Sequence, residues 1–70
     1  MYGIKVKFKG ISGVWSKEYT YSSPVPYEKN DVVVVPTSDF YSIGRVSASI
    51  ENYEFNKALT YKGVHSKVLV

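Results

Sequence analysis

The chain has 70 residues, no cysteine and a formal charge of +3, from nine basic and six acidic side chains. That length allows one domain, 1–70, with a core only marginally large enough to fold alone. The missing thiols exclude disulfides and thiolate chemistry, and one histidine among scattered carboxylates is too poor a donor set for a structural zinc site.

Tyr2 to Lys9 alternates, with Tyr2, Ile4, Val6 and Phe8 on one face and Gly3, Lys5, Lys7 and Lys9 on the other. That is the pattern of a half-buried strand. Gly10 to Gly13 forms a connection, with Ile11 and Val14 near its ends. Trp15 to Ser22 alternates again, setting Trp15, Lys17, Tyr19 and Tyr21 against Ser16, Glu18, Thr20 and Ser22. The two segments read as a hairpin. Tyr19 and Tyr21 are expected to point inward, Trp15 to sit at the rim, and Lys5 and Lys7 to face Glu18 across the outer surface.

Pro24 and Pro26 break the pattern, and Glu28-Lys29-Asn30-Asp31 reads as a tight turn in which Asn30 suits left-handed backbone. Val32-Val33-Val34-Val35 follows. Four β-branched residues disfavour a helix and favour a strand. Without polar alternation, this strand is expected to be buried on both faces or to cross between two walls of a barrel. Pro36, lacking an N–H, marks its end or an edge. Val33 and Val35 are assigned to the main core with Ile4, Val6, Tyr19, Val46 and Val68. Val32 and Val34 then need a loop, a bent strand or a partner chain to cover them.

Thr37-Ser38-Asp39 is a polar turn, with Phe40 and Tyr41 just beyond it. A strand is expected from about Ser42 to Ile50, with Val46, Ala48 and Ile50 on one face. Ile43 is out of phase with Val46, and a bulge around Gly44 would bring both inward. Glu51-Asn52 is a second turn. Tyr53 to Lys62 reads either as a strand through Tyr53 and Phe55 or as a short helical turn near residues 56–60 capped by Asn56. Gly63 interrupts, and Val64, Ser66, Val68 and Val70 form a last alternating segment. The fold class is therefore all-β. A small, closed SH3-like barrel of about five antiparallel strands is the best solution, because closure removes exposed edges. A sheet with one short helix is the rival.

The central block reads Tyr19-x-Tyr21, then Pro26-x-x-x-Asn30-Asp31-Val32-Val33-Val34-Val35-Pro36, then Ile43-Gly44-Arg45-Val46. It resembles a pattern found in small barrels of phage and bacterial proteins. That pattern has an aromatic strand, a Gly-Asp turn, a V-x-V-P strand and a G-x-V strand. The N-terminal DNA-binding domain of the PriA replication-restart helicases is similar in this block, as is part of the PSP1 domain family. Asn30 stands where those patterns have glycine. The resemblance covers about half the chain and implies a barrel. No helicase motif accompanies it, so it carries no enzymatic activity. A chain of this size and pattern also looks like small phage accessory proteins.

Lys5, Lys7 and Lys9 form a row along one strand face, which reads either as a phosphate-binding stripe or as a solvated face. Trp15, Phe40 and Tyr41 flank turns and could stack on bases, anchor a protein interface or close the barrel ends. His65 stands alone, and Asp31 and Asp39 read as turn residues, so no catalytic set is expected. No phosphate loop, metal motif or cofactor site is evident. The apolar runs are too short to span a bilayer, and the opening residues lack a signal or myristoylation pattern, so a cytoplasmic protein without membrane contact is expected.

The leading expectation is a non-enzymatic protein-binding module that acts on a bacterial host protein if phage-encoded. Trp15, Lys17, Phe40, Tyr41 and Arg45 form its contact surface. The alternatives are DNA or RNA binding through Lys5, Lys7 and Lys9, and a structural role in which a homodimer completes the core.

Overall fold

The computed structural model describes residues 1–10 and 12–69. Ile11 in the first connection and Val70 at the end of the last alternating segment lie outside them. The fold is all-β. Strand β1 spans Tyr2–Lys7, β2 Tyr19–Ser23, β3 Val32–Pro36, β4 Tyr41–Ile50 and β5 Ser66–Lys67. They form one antiparallel sheet in the order β2-β1-β4-β3-β5.

Ile4, Val6, Tyr21, Val33, Val35 and Val46 are the buried core, with Tyr2, Phe8, Tyr27 and Val64 packed against it. Val33 and Val35 point inward as the valine strand predicts, while Val32 and Val34 are half-buried on the outer side. The turn before β3 forms as expected. Asn30 has a φ of 77°, and the Asp31 N–H donates to the Glu28 carbonyl at 3.1 Å. Tyr21 donates its hydroxyl proton to the Pro36 carbonyl at 3.0 Å, so its polar tip is satisfied where its ring is buried. Burial raises the Tyr21 phenol above its ordinary range, with the neighbouring Tyr19 adding to the effect.

β4 is the long central strand, paired to β1 on one side and β3 on the other. Its register against β1 runs Lys7↔Arg45, Val6↔Val46, then Lys5↔Ala48, passing over Ser47. The bulge is thus at Ser47, not around Gly44 as its sequence phase suggested. The change reverses several facings. Gly44 and Val46 face inward, whereas Ile43 pairs with outward Val34 and is 65% exposed. Past the bulge, Ala48 lies opposite Lys5 and Ile50 opposite Gly3, so neither shares the inner face with Val46. Gly44 must be glycine for steric reasons, because a Cβ there would strike Val6 Cγ1.

The sheet does not close into a continuous barrel. β5 has two residues, too short to carry a second ladder. A parallel bridge between Ser22 and Gly63 spans the gap instead. The Ser22 N–H donates to the Lys62 carbonyl, and the Val64 N–H donates to the Ser22 carbonyl, both at 3.0 Å. Beside this seam Tyr19, paired with Val6 on the inner side, lies at an open mouth and is 44% exposed rather than part of the core. Val68, also assigned to the core, is half-buried on the edge strand's continuation, where its N–H donates to the Val32 carbonyl. Residues 56–59 form one turn, not a helix. The Leu59 N–H donates to the Asn56 carbonyl, and the Ala58 N–H donates to Asn56 Oδ1. A single hydrogen-bonded turn fixes several dihedrals for one bond, and nothing here propagates it.

Candidate functional site on the outer face of the sheet

The outer face carries Gly3, Lys5 and Lys7 from β1, Tyr41, Ile43 and Arg45 from the first half of β4, and Val32 and Val34 from β3. The chain returning after β4 covers one end of it. A Cβ on Gly3 would collide with the Tyr53 ring, so the absence of a side chain there is what seats Tyr53 on the sheet. The Tyr53, Phe55 and Tyr61 rings then meet edge to face, each successive pair 4.9 Å apart between centroids.

Lys5 belongs to this covered end. Its ammonium donates to Thr20 Oγ1 at 2.7 Å and to the Tyr53 hydroxyl at 2.9 Å, and lies 4.7 Å from the Tyr53 ring centroid. The hydrogen bond from Lys5 holds the Tyr53 phenol below its ordinary range, with Thr20 contributing in the same direction. Lys5 is thus a structural cation. Of the row Lys5, Lys7 and Lys9, Lys5 directs its ammonium at these two hydroxyls. Glu18, expected opposite Lys5 and Lys7, instead accepts a 2.6 Å hydrogen bond from the Ser47 hydroxyl on the bulge.

The other end is open. Trp15 is 44% exposed and is tied to Lys9 by an isolated bridge in the irregular part of the β1–β2 hairpin. The Arg45 guanidinium lies 5.9 Å from its ring centroid, within cation–π range. This pair forms a ridge between two clefts. The larger, about 370 Å³, is lined by Lys7, Trp15, Lys29, Asn30, Arg45 and the Val46–Ser47 segment. The smaller, about 220 Å³, is lined by Lys9, Trp15, Val32, Ile43 and the Gly44–Arg45 segment. Lys7 and Arg45 are direct partners across the β1–β4 ladder. Lys29 arrives because its turn is pinned to β4, where Asn30 N–H donates to the Val46 carbonyl at 2.8 Å and Val46 N–H donates to the Asp31 carbonyl at 2.9 Å.

Asp31 ends the same turn with its charge already engaged. Its carboxylate accepts the Glu28 N–H at 2.9 Å and lies 3.3 Å from Lys67 Nζ. The Glu28 N–H holds the carboxyl below its usual range, and Lys67 adds to that despite some opposing desolvation. The four cations Lys7, Lys9, Lys29 and Arg45 thus converge on one tryptophan.

Of the residues assigned from sequence, Trp15, Arg45, Lys7 and Lys9 come together here. Tyr41 lies on the same face of β4, with its ring edge-on to His65 at 5.1 Å. Phe40 is 77% exposed on the β3–β4 turn, where its carbonyl accepts the Thr37 N–H. Lys17 lies over Tyr19, 5.8 Å from the ring centroid, and lines neither Trp15 cleft. The clefts add Lys29, Val32 and Ile43, which lie outside the set assigned from sequence. Strict alternation through Tyr41, Ile43 and Arg45 carries the signal for Ile43, because the register against β3 is unbroken there.

A third cleft, about 350 Å³, opens at the mouth between Phe8, Tyr19, Tyr21 and the Pro36–Ser38 turn. Lys62 caps it by donating to the Thr37 carbonyl at 2.9 Å. Among the described residues no three His, Cys, Asp or Glu side chains gather to hold a metal ion, and no helix is long and apolar enough to cross a membrane. No family model, curated protein or solved structure matches the chain.

Proposed function

We propose that this protein is a non-enzymatic protein-binding module whose contact surface is the open end of the outer face, from Tyr41 through Ile43 and Arg45 to Trp15. The observation that carries the reading is the state of β4. It is the central strand, yet Tyr41 and Ile43 stand 63% and 65% exposed on it, beside the half-buried Val32 and Val34. Apolar surface grouped on one face and rimmed by charge is the usual makeup of a protein contact site. Trp15 and Arg45 are residue types that anchor such sites. The cations steer an acidic partner, a bacterial host protein if the chain is phage-encoded.

Nucleic-acid binding fits less of the surface. Lys5 is withdrawn from the lysine row, and a phosphate backbone would leave Ile43 and Val32 without apolar contact. Capture from bacterial lysate tests the reading, using the wild-type protein beside an Ile43→Asp, Arg45→Glu double variant that melts at the same temperature. A partner retained by the first and lost by the second is the expected result. A partner held equally by both places binding elsewhere.

A further inference from the structure

We infer that the occupant of this surface is an extended acidic peptide segment crossing the Trp15–Arg45 ridge, with carboxylates in the larger cleft and an apolar side chain in the smaller one. The inference rests on the protein-binding reading and names the chemistry of the partner. Three observations carry it.

The first is the distribution of charge. Lys7, Lys29 and Arg45 line the larger cleft; of the two carboxylates in the Lys29 turn, Asp31 is paired with Lys67, and neither it nor the exposed Glu28 lines the cleft. Glu18 is held on the Ser47 hydroxyl at the cleft's bulge side. Glu18 therefore repels an acidic occupant from that side and favours placing its carboxylates toward Lys29.

The second is the change of character across the ridge. Val32 and Ile43 line the smaller cleft, with Lys9 as its added cation. One occupant therefore meets cations in the larger cleft, the indole on the ridge, and apolar side chains with one more cation in the smaller cleft. Acidic residues interrupted by an apolar one satisfy that order, and a phosphodiester strand does not.

The third is backbone satisfaction. β4 is hydrogen-bonded on both sides, so it offers an occupant side chains and no free main-chain ladder. Outward residues on a strand recur about every 7 Å, the same repeat as alternate side chains of an extended peptide lying over it. Recognition is then by side-chain sequence rather than by strand addition.

Selection from a random peptide library on the immobilised wild-type protein tests this. The best-enriched peptide is then titrated while following the emission of Trp15, the only tryptophan in the sequence. The expected result is enrichment of Asp or Glu next to an apolar residue. Binding should perturb Trp15 emission and weaken about tenfold or more in a Lys29→Glu, Arg45→Glu variant that melts like wild type. It should also weaken as salt rises.

Enriched peptides without acidic residues, lost on Ile43→Asp but not on the charge reversals, overturn the acidic occupant and leave the contact surface standing. Peptides indifferent to both sets of substitutions overturn both. A thymidine oligonucleotide that displaces the best peptide and binds Trp15 more tightly makes nucleic acid the occupant. A library that yields no enriched peptide overturns the inference as well.

Discussion

Gly3 and Lys5 lie under Tyr53, while Lys7, Arg45 and Ile43, on the same two strands and the same face, meet solvent or an open cleft. The strands do not make the difference. The segment carrying Tyr53, Phe55 and Tyr61 folds back over one end only. Two lysines, two residues apart on one strand, therefore have different roles. Lys5 satisfies a hydroxyl pair, and Lys7 lines a cationic cleft. Where the cover stops decides which cations are available, and residue type alone does not.

The largest expected effect lies beneath both ends. Val33 has no exposed surface, so Val33→Asp buries a charge without a partner and should cost more than about 4 kcal/mol, abolishing the cooperative thermal melt. A parent-like melt would mean that the inner and outer faces of β3 are exchanged, and the contrast between the two ends would lose its basis.

Removing the cover comes next. Tyr53→Ala takes the ring off Gly3 and leaves Lys5 without one of its acceptors. For a half-buried aromatic the expected loss is about 1–3 kcal/mol in denaturant unfolding. Tyr53→Phe, keeping the ring, should lose less. If the two variants are equally destabilised, the hydroxyl contact rather than the ring holds the covered end.

The turn before β3 responds to acid. The Asp31 carboxyl is held below its usual range, first by the Glu28 N–H and then by Lys67. A depressed folded-state value means that its stabilisation is present above the unfolded value, about 3.9, and is lost as pH falls through the folded one. Melting temperatures of wild type and Asp31→Asn should therefore differ at neutral pH and converge in that acid window. A gap independent of pH would show that the turn tolerates loss of the charge and suffers only from the changed shape.

The smallest effect belongs to the open end itself. Ile43→Ser should leave stability within about 0.5 kcal/mol of wild type, since the side chain is mostly exposed. A loss matching that of Tyr53→Ala would mean that Ile43 is packed and that this end has a cover of its own.

Much of the fold was legible in local pattern. The alternation of Tyr2 to Phe8, the Asn30 turn and the inward pair Val33 and Val35 all follow from residue type and period. In β4 the phase of Ile43 suggests a bulge at Gly44, whereas Ile43 and Val46 face opposite sides of an unbroken stretch. The bulge exists three residues later, at Ser47, where a small polar residue gives no hydrophobic signal. The site was legible in Trp15, Arg45, Lys7 and Lys9, but their convergence was not. It depends on long-range pairing, as does the arrival of Lys29 through hydrogen bonds between its turn and Val46. Lys5 looked the same as Lys7 because a sequence does not show which lysine a distant tyrosine will reach.

The Ser22–Gly63 bridge gives the molecule a clasp. Two hydrogen bonds there stand in for the ladder that would make the barrel continuous. Fewer interactions must break to part the two edges than to separate β1 from β4. The seam can thus part locally while β5 stays paired to β3 and the core strands stay together. Amide exchange should register this as two classes of protection. The Ser22 and Val64 amides should exchange through partial opening, and Val6 and Val46 only when the whole chain unfolds. Equal protection in both groups would mean that the clasp opens only with the core.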